Sequence, residues 1–421
     1  MVSTSLPSPF TSPLAAQPAV ASTPTTARVD ARRRCDRATI PPNWIQELVF
    51  GILSSMMRHP RESVTPSTKT ARIVRSEGTE RMDIPELDAL DYRIVNALQL
   101  HPRASWAELS GILSSDASTL SRRWSRLADC GAVWSSCFYM PLERRRRQPL
   151  AFVEVLCHPA GLDETVDALA VIPEVFSVHG TSGDRQVYVT VGAASLAEID
   201  HCVRTRIATV PGVATTRAHY VRRVFQEGGQ WRLGVLTDAQ TAAIAARRPQ
   251  PASDLAAEPT PEEWSVLEAL AEDVRRPLAQ IRERTGGSLA AVSRRVTTLL
   301  GADWAHWRID VAHRALGYEC AVMLWVRAPQ ENLEQIATSF RLLPESRLIA
   351  SVTGPANLAI SLWLRDLADL DDLEQRVAKV YPQLSFTDVW VVPRVYKRAG
   401  HVLDANGMQA RHVPFRENGG D

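Results

Sequence analysis

Two Ser-Arg-Arg triplets, Ser121-Arg122-Arg123 and Ser293-Arg294-Arg295, stand 172 positions apart in a chain of 421 residues. A guanidinium can bond guanine through two parallel hydrogen bonds or neutralise a phosphate. Small hydroxyls beside it can reach phosphates and base edges. Ser118, Thr119 and Ser121 supply such hydroxyls around the first triplet, and Arg126 adds a further cation. The second group is poorer. Ala290 and Ala291 replace Ser118 and Thr119, and Thr298 replaces Arg126. An isolated exposed arginine pair is ordinarily a solvated face. Recurrence, accompanying hydroxyls and position on a helix together favour double-stranded DNA as the partner, with Ser118, Thr119, Ser121, Arg122, Arg123, Arg126, Ser293, Arg294 and Arg295 as the candidate contacts.

These residues need helices to carry them. On a helix starting at Asp116, Leu120, Trp124 and Leu127 fall at i, i+4 and i+7 and form one apolar stripe, with Thr119, Arg122, Arg123 and Arg126 facing away. Ser288 starts the counterpart, with Val292, Val296 and Leu299 inward and Arg294, Arg295 and Thr298 outward. Upstream, Asp88 suits an N-cap for a helix burying Leu90, Ile94, Val95 and Leu98, and Trp106, Leu109, Ile112 and Leu113 mark a second helix. Thr260, Pro261, Glu262 and Glu263 open the corresponding helix of the second half. Helix, helix, tight turn, helix within about fifty residues is the helix-turn-helix arrangement, whose third helix enters the major groove. Asp91, Arg103 and Leu109 recur as Glu263, Arg275 and Ile281, which predicts a duplicated unit.

Behind each helical segment the pattern alternates. Strand 151–157, helix 163–171, strands 175–180 and 185–192, helix 195–209 and strand 213–225 are followed later by strand 320–326, helix 331–342, strands 347–352 and 358–364, helix 369–380 and strand 385–395. The order βαββαβ is the ferredoxin-like split motif. The predicted fold class is therefore α+β: two copies of a helix-turn-helix (winged-helix-like) domain, each followed by a ferredoxin-like βαββαβ regulatory domain. The divisions read as a disordered extension (1–81), a first helix-turn-helix (83–140), a first regulatory domain (148–228), a linker (229–259), a second helix-turn-helix (260–312), a second regulatory domain (317–400) and a tail (401–421). Residues 1–81 are rich in Ser, Thr, Pro and Ala and cannot bury enough apolar surface to offset ordering entropy. Ile45, Leu48, Val49, Ile52, Leu53 and Met56 keep helical spacing there, as a partner-binding helix or as the product of a start codon placed too early. The basic run Arg144–Arg147 could reach phosphates or form a solvated hinge.

Composition excludes several classes. The net charge is +1, so attraction to nucleic acid must come from local patches. The six cysteines are scattered without a Cys-x-x-Cys pair, as expected of reduced thiols in a cytoplasmic protein. His306 and His313 are seven apart, unlike the i, i+4 pair of a helical zinc site, and neither metal nor cofactor is expected. No apolar run reaches the roughly 20 residues that span a membrane, and the N-terminus lacks the order of a signal peptide.

The segment "ELDALDYRIVNALQLHPRASWAELSGILSSDASTLSRRWSRLADCGAV" resembles the DNA-binding domain of the leucine-responsive/AsnC (feast-famine) transcription regulators, and the βαββαβ segments resemble their regulatory domain. "SVTGPANLAISLWL" resembles the loop and strand around the effector site of tandem, actinobacterial-type members. The resemblance implies a sequence-specific regulator and no enzyme. It implies homo-oligomers formed by sheet packing and a small, amino-acid-like effector. The implied effector residues are Gly183, Asp184, Gly354 and Asn357, although a tight turn needs glycine with or without a ligand. A second resemblance, carried by "AHRALGYECAVMLW" at 312–325, is to siroheme decarboxylases and implies a tetrapyrrole enzyme on the same fold. Exposed arginine pairs in both helical heads argue against it.

Overall fold

Asp88 opens α1 (Ala89–Leu100) as its cap. Its carboxylate accepts from the amides of Leu90 and Asp91, and the Asp91 side chain accepts in return from the Asp88 amide. Such a reciprocal cap satisfies amides that a helix start leaves without partners. Ser105 and Glu108 do the same for α2 (Trp106–Leu113). Ser114, left-handed at φ 53°, ends α2 and turns the chain into α3 (Ala117–Asp129). Leu120, Trp124 and Leu127 are buried as the spacing predicts. β1 (Val133–Tyr139) follows. The protein is seen here as a computed structural model that describes residues 84–139, 149–249 and 258–414. The helix expected around 45–56 and the run Arg144–Arg147 lie outside the described residues.

The next segment comprises β2 (Leu150–Cys157), α4 (Leu162–Ala170), β3 (Val175–Gly180), β4 (Val187–Gly192), α5 (Leu196–Cys202) prolonged by a π turn, and β5 (Val213–Gln226). Alternation divides each strand between two faces. Ala151, Val153 and Val155 of β2 pack with Val166, Leu169 and Ile199 under the helices. Phe152 points into a separate core on the opposite face.

After α6 (Asp238–Ala245) come α7 (Pro261–Leu270), α8 (Leu278–Thr285), α9 (Leu289–Gly301) and β6 (Ala305–Val311). Gly286 and Gly287 make the turn before α9. Then come β7 (Cys320–Arg327), α10 (Leu333–Arg341), β8 (Ser346–Val352), β9 (Leu358–Leu364), α11 (Asp369–Val380), β10 (Ser385–Val392), β11 (Arg394–Arg398), β12 (His401–Leu403) and β13 (Gln409–His412).

All but two of the described strands join one sheet in the order β10-β7-β9-β8-β5-β2-β4-β3-β11-β12-β13. The far half of β5 leaves β2 and pairs with β8, as Val221 with Val352. β11 continues β10 past Pro393 and pairs with β3, as Arg394 with Gly180. Each half therefore lends the end of its last strand to the other, and the sheet closes around an interior. Phe152, Tyr188, Trp325, Trp363 and Trp390 belong to the core on that side.

Two expectations are corrected. Residues 229–249 are not a bare linker. Trp231 is buried with its indole N–H on the Pro344 carbonyl, and the amides of Leu233 and Val235 donate to Gln99 and Asn96 of α1. Ile244 of α6 is buried, and Gln240 donates to the Ile112 carbonyl. The stretch has few large apolar residues and no sustained period, and these few anchors carry the packing. The segment from 401 to 414 is likewise not a free tail, since β12 and β13 extend the sheet. The Gln409 amide donates to the Gly131 carbonyl, and a Cβ on Gly131 would lie 2.3 Å from the Gln409 oxygen.

Candidate functional site

On α3 the candidate contacts separate into two groups. Ser118 and Arg122 are exposed, and Thr119 and Ser121 are half-buried. Arg123 and Arg126 are not free outward cations, contrary to the stripe argument. Arg123 Nη1 donates to Asp88 Oδ2 at 2.5 Å and Asp91 Oδ1 at 3.0 Å, and Arg126 Nη2 donates to Asp91 Oδ2 at 2.7 Å. The capping carboxylates of α1 lie across from α3, a neighbour that the periodicity of one helix cannot reveal. Partial burial works to raise the Asp88 pKa, but the Asp91 amide and Arg123 outweigh it and hold it below the usual value. The same bonds, that to Asp88 foremost, raise the pKa of Arg123. On α9, Arg294 is exposed, while Ser293 and Arg295 are half-buried. Among the described residues neither arginine has an ion pair.

The two three-helix segments are tied to each other. β1 and β6 pair antiparallel from Val133 with Val311 to Tyr139 with Ala305. Arg103 donates to the carbonyls of Val274 and Arg276, and Arg275 donates to those of Pro102 and Ala104. Arg275 also lies 4.1 Å over the Trp106 ring. Burial holds the Arg275 pKa down at about 10, with Arg103 adding to the effect. The pair already occupied equivalent places 172 positions apart. Arginines at matched positions of the two helical segments were the signal that could have found this lock.

Gly183 and Gly354 sit at φ +92° and +114°, a region that disfavours any side chain. Asp184 is exposed at the first turn. Asn357 is buried, and both ends of its amide are taken. Its oxygen accepts from the Ala328 amide at 2.9 Å, and its nitrogen donates to the Ala328 carbonyl at 2.7 Å. Asn357 thus braces the loop while also lining the cleft beside Gly354. The reason is the β7 terminus, which lies alongside the loop in space only. Each loop docks on the opposite half: the Ser182 amide donates to Val391, and the Thr353 amide donates to Tyr220. A cleft of about 720 Å³ opens beside Gly354, walled by Arg222, Arg327, Gln330, Thr353 and Gln383 among others.

Sequence reasoning missed Arg185, two residues beyond Gly183. It is buried, pairs with Glu154 and with Asp388 of the other half, and lies 4.4 Å over Trp390. Glu154 also accepts His219 Nε2 at 2.6 Å. His313, from the segment resembling the decarboxylases, is buried against Trp363. Burial first, then nearby arginines, push its pKa down to about 2.

Residues 87–128 match the AsnC-type helix-turn-helix domain, and residues 150–231 match the Lrp/AsnC ligand binding domain. An HTH-type transcriptional regulator of Pyrococcus horikoshii is 26% identical over 143 residues, 34% of this chain and 90% of that protein. The regulator FL11 of the same organism is 27% identical over 146 residues, 35% of this chain and 95% of its own length. Among solved structures, the siroheme decarboxylase NirDL aligns at a TM-score of 0.48 and 13% identity, over 74% of this chain and 93% of that one. The chain thus contains a segment similar to the AsnC-type helix-turn-helix domain and one similar to the Lrp/AsnC ligand binding domain, a likeness it shares with these transcriptional regulators.

Proposed function

We propose that the protein is a cytoplasmic, sequence-specific transcription regulator of the tandem type, in which one chain carries two helix-turn-helix heads and two effector-sensing domains. No enzymatic activity belongs to this reading. The observation that carries it is the lock between Arg103 and Arg275 together with the β1–β6 pairing, which hold α3 and α9 as parts of one body. A chain built this way offers a duplex two heads at once, the role two subunits share in a symmetric dimer. Ser118, Arg122 and Arg294 are the exposed groups for base edges and phosphates. Arg123 and Arg126 act mainly as braces of α3. Asp184 and the cleft beside Gly354 are the places for a small amino-acid-like effector, and further association into homo-oligomers fits the same scheme.

The test is a mobility-shift titration of full-length protein on promoter fragments bound by the wild type. Arg122→Ala should weaken binding by at least tenfold, Arg294→Ala by less, and the pair by more than either. Unchanged affinity in the double variant would remove the heads from the interface. A Soret band in the purified protein would instead favour the decarboxylase reading.

A further inference from the structure

The interior of the closed sheet contains more buried positive charge than the protein itself neutralises. Arg308 from β6, Arg347 from β8 and Arg398 from β11 all line one cavity of about 220 Å³. Asp310 is the buried carboxylate among them, and Arg308 takes it with bonds of 2.9 and 3.0 Å. Arg347 reaches Asp310 only at 3.6 Å. Its side chain is 7% exposed, and its Nη1 is buried with no hydrogen-bond partner. The guanidinium is nevertheless fixed in place, 4.2 Å over Trp231 and 3.8 Å over Trp363. Arg398 Nη1 makes a long 3.5 Å bond to the Val311 carbonyl. Glu227, the other acid on the wall, lies 2.7 Å from His306.

Water could supply the missing hydrogen bond but not the missing charge. Buried cations that must share one carboxylate are unfavourable, so this arrangement is suited to an anion that enters from outside. The neighbouring imidazoles point the same way. Burial and then the charge on Arg398 keep His179 and His313 deprotonated. Rings on the remaining walls include Phe138, Phe152, Phe176 and Trp363, beside aliphatic side chains such as Met323 and Leu348. The volume is of the order of a cavity that takes benzene, about 150 Å³, and is small for a tetrapyrrole macrocycle.

We propose that this cavity binds a small aromatic carboxylate, with the carboxylate on Arg347 and Arg398 and the ring against the phenylalanines. The site lies apart from the two effector loops, and the inference stands whether or not the heads bind DNA.

The probe is 4-fluorobenzoate, followed by ¹⁹F NMR on the full chain in low-chloride buffer, with neutral 4-fluorobenzyl alcohol as the control. The acid should bind at least tenfold more tightly than the alcohol, as expected when a charged hydrogen-bond pair is gained. Arg347→Met should remove that preference without lowering the melting temperature, because it replaces a buried charge held only by a long contact to a shared carboxylate with an apolar chain of similar length. Ala321→Leu, which fills the cavity from β7, should abolish binding of both probes and serves as the second variant should Arg347→Met fail to fold. Equal binding of acid and alcohol by the wild type, no binding of the acid, a retained preference for the acid in folded Arg347→Met, or retained binding of either probe by folded Ala321→Leu would overturn the proposal. Mobility-shift titration of the same variants without probe reads DNA binding separately.

Discussion

Arg122 and Arg123 are adjacent in sequence, yet the structure gives them opposite duties, and replacing each by alanine should separate these. Arg123 holds two carboxylates of very different surroundings. Its partner Asp88 is 55% exposed, and such a surface pair contributes about 0–1 kcal/mol. Its other partner Asp91 is 1% exposed, where a hydrogen bond to a charged group contributes about 1.5–3 kcal/mol. Arg126 still donates to Asp91 when Arg123 is gone. Arg123→Ala should therefore destabilise by about 2 kcal/mol. Removing Arg126 as well leaves the buried Asp91 with the Asp88 amide, 3.2 Å away, as a donor. Uncovering a buried charge in this way costs about 3–5 kcal/mol. Arg122→Ala touches no such network and should stay within about 0.5 kcal/mol of wild type. The assay is urea unfolding of five proteins (wild type, Arg122→Ala, Arg123→Ala, Arg126→Ala and the Arg123/Arg126 double variant) at constant pH, followed by far-UV circular dichroism, with the last three and wild type forming a mutant cycle. Equal destabilisation by Arg122→Ala and Arg123→Ala would refute the division of labour. So would a double variant as stable as wild type.

Trp124→Ala should lose about 3–5 kcal/mol, the range for a buried aromatic cut to alanine, and a variant with an unchanged melting curve would contradict its place in the α3 stripe. Acid should weaken the fold early. Burial, reinforced by nearby positive groups, lowers the pKa of His179 to about 3, of His313 to about 2 and of His401 to about 3. The unfolded chain takes up these protons below its ordinary histidine pKa of about 6.5, whereas the folded chain does not. The stability is therefore fully present above about pH 6.5 and falls as pH drops toward 3, by roughly 1.4 kcal/mol per histidine per pH unit. Urea midpoints at pH 7.5, 6 and 5 should decline accordingly, and His313→Gln should make the decline shallower. A midpoint that does not move over this range would show that these imidazoles titrate normally.

Much of the local structure was legible in the sequence. Asp88, Ser288 and Thr260 start helices as their side chains suggest. Leu120, Trp124 and Leu127 with Val292, Val296 and Leu299 form the two buried stripes. Both signals are local, being set by hydrogen bonds within one turn and by the period of one helix. What was not legible depends on elements far apart in the chain. Asp91 lies across from α3, the β7 terminus claims Asn357, and Trp231 anchors a segment that otherwise looks like linker.

The least legible feature is the one on which the architecture turns. Periodicity marks β5 and β10 as strands but cannot show that each ends in the sheet of the other half. Nor can spacing alone tell that Arg103 and Arg275 are partners as well as equivalents. Each guanidinium takes carbonyls of the other's loop, so neither segment can satisfy its own arginine. Deleting one side would leave a half-buried cation and two loop carbonyls without their bonds, which costs more than the bonds themselves contribute. The exchange of strand ends has the same logic, because β8 and β3 would otherwise each expose an unpaired edge. These reciprocal dependences bind the halves into one cooperative body. A ligand inside the closed sheet and a duplex on the heads would then act on the same folding unit, since β6, which carries Arg308 into the cavity, also pairs with β1 between the heads.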